Sequence, residues 1–245
     1  MRDPLLRSTG ILSALFHEGA VVCEGDSDRA FYQEINYRLL TAQSEQTQDD
    51  SENEESEGRE EPEGADNTIF LAAQNKSTIQ KIVWPMRAMG IPSVAIVDID
   101  VFKESSTFKT LLQAAFVPQA SINVWGAHRG ELHRKLETKN REYQKGGLDL
   151  LEPADRESAE TLLDNLAAYG IFVVPVGDLE RWFGCWLAEL DERPRKSDYV
   201  PRVFELMGSD PTDSSYLKPQ DGDVWDFMRK VSAWIADPNR RGMPE

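Results

Sequence analysis

Three short apolar runs, each breaking off in carboxylates, constrain the fold of this 245-residue chain more than any other feature. They are Gly19-Ala20-Val21-Val22-Cys23 before Glu24 and Asp28, Ser93-Val94-Ala95-Ile96-Val97 before Asp98 and Asp100, and Ile171-Phe172-Val173-Val174-Pro175-Val176 before Asp178 and Glu180. Runs this short with no polar alternation read as strands buried on both faces, the pattern of a parallel sheet. A fourth strand is predicted from Thr68 to Ala73. Between the strands lie helical patterns: Asp28 to Leu40 with Ala30, Phe31, Ile35 and Leu39 on one face, then Thr78 to about Met89, then Pro153 to Tyr169. Strands alternating with helices give an α/β fold, a parallel sheet with helices on both faces.

Around that frame the chain divides unevenly. Residues 1–18 read as a lead-in helix, 19–185 as the main domain, and 186–245 as a small helical appendage whose Trp225, Phe227 and Trp234 suit a core better than a binding surface. Residues 43–67 hold almost no apolar side chains and are predicted to be a disordered acidic insertion, because they cannot bury enough surface to offset their chain entropy. Residues 102–147 read as a partly helical, more basic insertion.

Charge follows this division. The chain carries −16. Glu45 to Asp66 contribute −10 of it, from eleven carboxylates and Arg59, which leaves −6 for the other 223 residues. A uniformly acidic protein and a basic nucleic-acid-coating protein are both excluded. No apolar run is long enough to cross a membrane, and the N-terminus lacks a signal-peptide pattern, so no membrane partner and a cytoplasmic location are expected. Cys23 and Cys185 are the only cysteines, and His17, His128 and His133 show no ligand spacing. A disulfide scaffold and structural zinc do not fit that inventory.

The chemistry is expected at the strand ends. In an open parallel sheet, sites form at the carboxyl ends of the strands. If the three acid-terminated strands are neighbours, Glu24, Asp28, Asp98, Asp100, Asp178 and Glu180 converge on one crevice. Carboxylates held that close repel one another unless cations neutralise them, and a His-poor oxygen set suits Mg²⁺ or Mn²⁺. Helix capping is the competing explanation, and it is favoured for Asp26, Ser27 and Asp178. Capping does not account for Glu24, Asp98 and Asp100 together.

The stretch Val-Val-Cys-Glu24-Gly-Asp-Ser-Asp28-Arg-Ala-Phe-Tyr, followed by Ala-Ile-Val-Asp98-Ile-Asp100-Val-Phe, resembles the TOPRIM fold. The third segment, from Ile171 through Gly177-Asp178-Leu179-Glu180 to Phe183, narrows the resemblance to the nuclease region of the overcoming-lysogenisation-defect (OLD) family. Members of that family join an ATPase to a C-terminal TOPRIM nuclease, as do some phage-defence nucleases. The resemblance implies a metal-dependent DNA endonuclease in which Glu24, Asp28, Asp98, Asp100 and Glu180 hold two Mg²⁺ or Mn²⁺ ions. It also implies a basic catalytic residue downstream of Glu180, for which Lys196 and then Arg195 are the candidates. Lys76 stands where TOPRIM proteins often carry Gly-Lys, with Asn75 in place of the glycine.

No Gly-x-x-x-x-Gly-Lys-Ser/Thr occurs, so the chain carries no ATP site of that type. The expected partners are therefore DNA and an ATPase domain normally in the same polypeptide, with a homodimer through that half one arrangement the resemblance admits. Residues 126–145 and 193–202 are the basic windows that could face DNA. Two other functions fit the same residues: primase-like nucleotidyl transfer, and a non-catalytic metal-binding scaffold.

Overall fold

A computed structural model describes residues 10–50, 63–139, 146–183, 195 and 198–244. Its frame is a four-stranded parallel sheet: β1 (Gly19–Cys23), β2 (Thr68–Ala72), β3 (Ser93–Val97) and β4 (Ile171–Val173). The spatial order is β2-β1-β3-β4, with Gly19 beside Thr68, Ala20 beside Ser93 and Ala95 beside Ile171. The chain leaves β1 to one side for β2, then returns past it to build β3 and β4. The gap between the ends of β1 and β3 is therefore the switch point of the sheet, where such folds open a crevice.

Eight helices among the described residues cover the sheet: α1 (Asp26–Asp50), α2 (Lys76–Ala88), α3 (Ser105–Ala114), α4 (Gln119–Lys139), α5 (Pro153–Ala167), α6 (Leu179–Trp182), α7 (Tyr199–Met207) and α8 (Asp223–Ala236). Strand residues alternate between two cores, as the pleat requires. Ala20, Val22, Ala95, Val97, Ile171 and Val173 pack with α2 to α5. Val21, Cys23, Val94, Ile96, Phe172 and Val174 pack with α1 and α6 to α8.

Three expectations change. The tail does not form an appendage: Val203, Met207, Trp225, Met228 and Val231 are buried and complete the second core. α1 covers the β1 and β2 part of that face, and α8 packs against β3. Residues 102–147 are not an insertion either, since α3 and α4 supply Phe108, Leu111, Leu112, Leu132 and Leu136 to the first core. The acidic block is also narrower than 43–67. α1 runs on to Asp50 past the end of its apolar stripe, because Gln and Glu sustain a helix without burial.

At the far end of that block, Glu63 pairs with Arg229 at 2.6 Å. Ala65 is buried, giving its N–H to Asn36 Oδ1 at 2.8 Å and accepting from Asn36 Nδ2 at 3.1 Å. The expected disorder thus falls back on 51–62, outside the described residues. Of the lead-in helix, the described part is a single 3-10 turn, Ser13–Phe16. The third apolar run forms strand only to Val173; Pro175, two residues on, has no N–H to extend the ladder.

Two glycines set the end of β4. Gly147 (φ +54°) lets a 3-10 turn, Gly147–Leu150, dock there, and a Cβ at Gly147 would lie 2.1 Å from the Pro175 carbonyl oxygen. Gly177 (φ +121°) turns the chain so that its carbonyl accepts the Ile99 N–H at 3.2 Å. That bond ties the end of β4 to the segment following β3.

Candidate functional site

The switch point is occupied by acid. Glu24 follows β1 and Asp98 follows β3, and the Asp98 N–H donates to Glu24 Oε1 at 3.2 Å across the gap. Asp100 lies in the 3-10 turn Ile99–Phe102. Asp28, in the first turn of α1, accepts the Gly25 N–H on Oδ2 at 2.8 Å. That is the reach-back half of a capping box, so the cap expected of Asp26 or Ser27 comes from Asp28. Asp26 is instead paired with Arg29 at 3.4 Å.

These carboxylates feel one another. Burial, followed by the charges of Glu24, Asp28, Asp100 and Asp178, pushes Asp98 up from 3.8 to about 9. Burial, reinforced by Asp100 and Asp28, pushes Glu24 from 4.5 to about 7, against the Asp98 N–H and Lys76, which pull it down. A carboxyl group surrounded by carboxylates holds its proton because the alternative is a desolvated like charge. The structure therefore draws together four of the five expected ligands, Glu24, Asp28, Asp98 and Asp100.

It adds Asp178. Its place before α6 favours capping, yet its side chain makes no cap hydrogen bond to α6 and its charge acts on Asp98. Glu180 lies two residues further on, half-buried within α6. Lys196 lies outside the described residues, as does Cys185; Arg195 is exposed.

A basic residue does enter the cluster, from the β2 side. Lys76 opens α2, and its Nζ sits 2.8 Å from Asp100 Oδ2, both side chains about one-fifth exposed. Sequence spacing carried the signal, since Lys76 directly follows the β2 turn, but the Asn at 75 obscured it.

The donor set is all oxygen and suits a hard divalent cation. As the side chains stand, no three His, Cys, Asp or Glu among the described residues surround a single point. Three of the carboxylates are committed locally: Glu24 to the Asp98 amide, Asp28 to the Gly25 amide and Asp100 to Lys76. The donor chemistry fits a metal, and each of those local bonds engages one oxygen of its carboxylate.

Positive charge near the cluster is limited. Arg129 of α4 donates to the Phe102 carbonyl at 2.6 Å, beside the Asp100 turn. Along the same helix, Lys135 is paired with Asp155 at 2.6 Å, and His133 lies 3.8 Å from Glu137. Arg134 is exposed. A cleft of about 460 Å³ beside β4 is lined by Phe172, Val176, Trp182 and Phe227 and holds none of the clustered carboxylates. No helix among the described residues is long and apolar enough to cross a membrane. The chain matches no family model, no curated protein and no solved structure.

Proposed function

We propose that this chain is a metal-dependent phosphodiester hydrolase of TOPRIM type, acting on DNA as the nuclease part of an ATPase-nuclease. One observation carries the reading. Glu24, Asp28, Asp98, Asp100 and Asp178 gather at the switch point of a parallel sheet, where the Asp98 N–H meets Glu24 Oε1 at 3.2 Å and burial, reinforced by the neighbouring carboxylates, pushes Asp98 up to about 9. Such crowding costs the fold stability, and a bound cation is the group that would offset it.

Mg²⁺ or Mn²⁺ bound by these carboxylates would supply charge neutralisation and an activated water. Glu24, Asp98 and Asp100 are the protein's main ligands in this reading, with Asp28 completing the set and Asp178 at its edge. Asp98 and Glu24 must surrender their protons for a cation to bind. The reaction consumes water: its oxygen bonds to phosphorus, the bond from phosphorus to the leaving oxygen breaks, and one water proton ends on that oxygen. Arg129 and Arg134 offer positive charge for the DNA backbone on the α4 side.

The test is nicking and linearisation of supercoiled plasmid with Mg²⁺ or Mn²⁺. Asp98→Ala and Asp100→Ala are expected to slow cleavage by at least about 100-fold. Cleavage that survives unchanged in both variants overturns the proposal, and primer synthesis without strand scission would favour nucleotidyl transfer instead.

A further inference from the structure

We infer that Lys76 has two exclusive positions in this site: it is the counter-ion of Asp100 while the cluster is metal-free, and the cation facing the phosphate once a divalent ion is bound. The inference rests on the hydrolase reading above and replaces Lys196 as the basic catalytic residue. Sheet order makes it possible. Lys76 follows β2, Asp100 follows β3, and β1 lies between them, so the lysine side chain spans the end of β1 directly over the switch point. Its charge is felt by Glu24 as well as by Asp100.

A lysine suits the two positions. The ammonium is a compact charge on a flexible stem with three donors, so it can leave one oxygen for another without the fork geometry an arginine needs. Asp100 Oδ2 cannot serve a divalent ion while an ammonium sits 2.8 Å from it, because the two cations repel. Metal and lysine thus compete, through their charges, for one carboxylate. The lysine that loses remains tethered at the first turn of α2, next to the crevice, where an oxygen of a phosphodiester is the anion it can meet. There it keeps its proton and offsets the negative charge that builds as the new oxygen–phosphorus bond forms.

Competition and catalysis give effects of opposite sign in one variant. Wild type, Lys76→Met and Lys76→Arg are titrated with Mn²⁺ by calorimetry without DNA, then assayed for plasmid cleavage at saturating Mn²⁺, with circular dichroism reporting fold. Lys76→Met is expected to bind Mn²⁺ at least about tenfold more tightly and to cleave at least about 100-fold more slowly. Lys76→Arg keeps the charge and should bind Mn²⁺ within a few-fold of wild type; Lys76→Gln, which also removes the charge, serves in place of the methionine variant should that fail to fold. Weaker Mn²⁺ binding in folded Lys76→Met shows a lysine that merely supports the carboxylates and overturns the competition. Unchanged cleavage overturns the phosphate role alone. A wild type that binds Mn²⁺ yet cleaves nothing overturns the hydrolase reading and the phosphate role together, while calorimetry still decides the competition for Asp100.

Discussion

Two ionisable groups lie at opposite ends of the same sheet, and they are treated in opposite ways. Arg87 lies at the amino ends of β3 and β4, fully buried. It donates to the carbonyls of Ser93 at 2.8 Å, Tyr169 at 2.9 Å, Gly242 at 2.8 Å and Ala115 at 3.2 Å, and it stacks 4.8 Å from the Trp234 ring. Asp98 lies at the carboxyl end of β3, and the charges of Glu24, Asp28, Asp100 and Asp178 all oppose its ionisation. Arg87 has its water replaced by fixed dipoles and joins a strand start, two loops and the chain's last segment. Asp98 is crowded by groups of its own sign. Burial of charge therefore does not by itself mark a site: Arg87, which also feels the like charge of Arg240, is met by carbonyl dipoles, whereas four carboxylates oppose the ionisation of Asp98.

The largest effect that separates the two ends is Arg87→Met. It leaves several buried carbonyls without donors and should lower stability by about 4 kcal/mol, read from the midpoint of a urea melt. Mn²⁺ affinity of the folded fraction should stay within twofold of wild type. A large loss of affinity would show that the two ends are coupled and would break the contrast.

A smaller effect sharpens the other half. Asp98 and Glu24 are held above their unfolded values of 3.8 and 4.5, at about 9 and about 7. Folding therefore takes up protons. Their contribution is complete below pH 4 and is lost as pH rises toward about 9. In metal-free buffer, stability should fall from pH 5 to pH 9. Asp98→Asn, a neutral near-isostere, should remove the upper part of that slope and be at least about 1 kcal/mol more stable than wild type at pH 8. Saturating Mg²⁺ should flatten the wild-type curve by taking the place of the protons. Urea melts across pH with and without the ion measure all three. A wild-type curve that is flat without metal would mean the carboxyl groups are not crowded.

Much of this was legible in the chain. β1 and β3 were bounded correctly because unbroken apolar runs flanked by glycine or acid have few alternatives. Glu24, Asp98 and Asp100 followed from their place after those runs. The tail was misjudged because the apolar stripe of α8, with Val224, Met228, Val231 and Ile235 buried, shows that it packs but not against what. α3 was missed because Ser105 to Ala114 is short and opens with serines and a threonine, residues that favour turns as much as helices. The contact of Lys76 with Asp100 is hidden in the sequence for a similar reason. Its meaning lies in the β2-β1-β3 order, and that long-range pairing has no local signature.

Asp178 gives the finest test of the comparison. Its position before a short helix argued for a cap, but α6 receives no cap hydrogen bond from it, and its charge is the smallest of the four acting on Asp98. If it served as a cap, Asp178→Ala would cost about 1 kcal/mol and Asp178→Asn, which can also cap, would cost little. As an outlying member of the acid cluster, its neutralisation should instead stabilise the metal-free protein by a few tenths of a kcal/mol at pH 8, in both variants. The two roles thus predict opposite signs for the alanine variant. A loss of stability there would move Asp178 back to the scaffold and leave the cluster with the four carboxylates that follow β1 and β3.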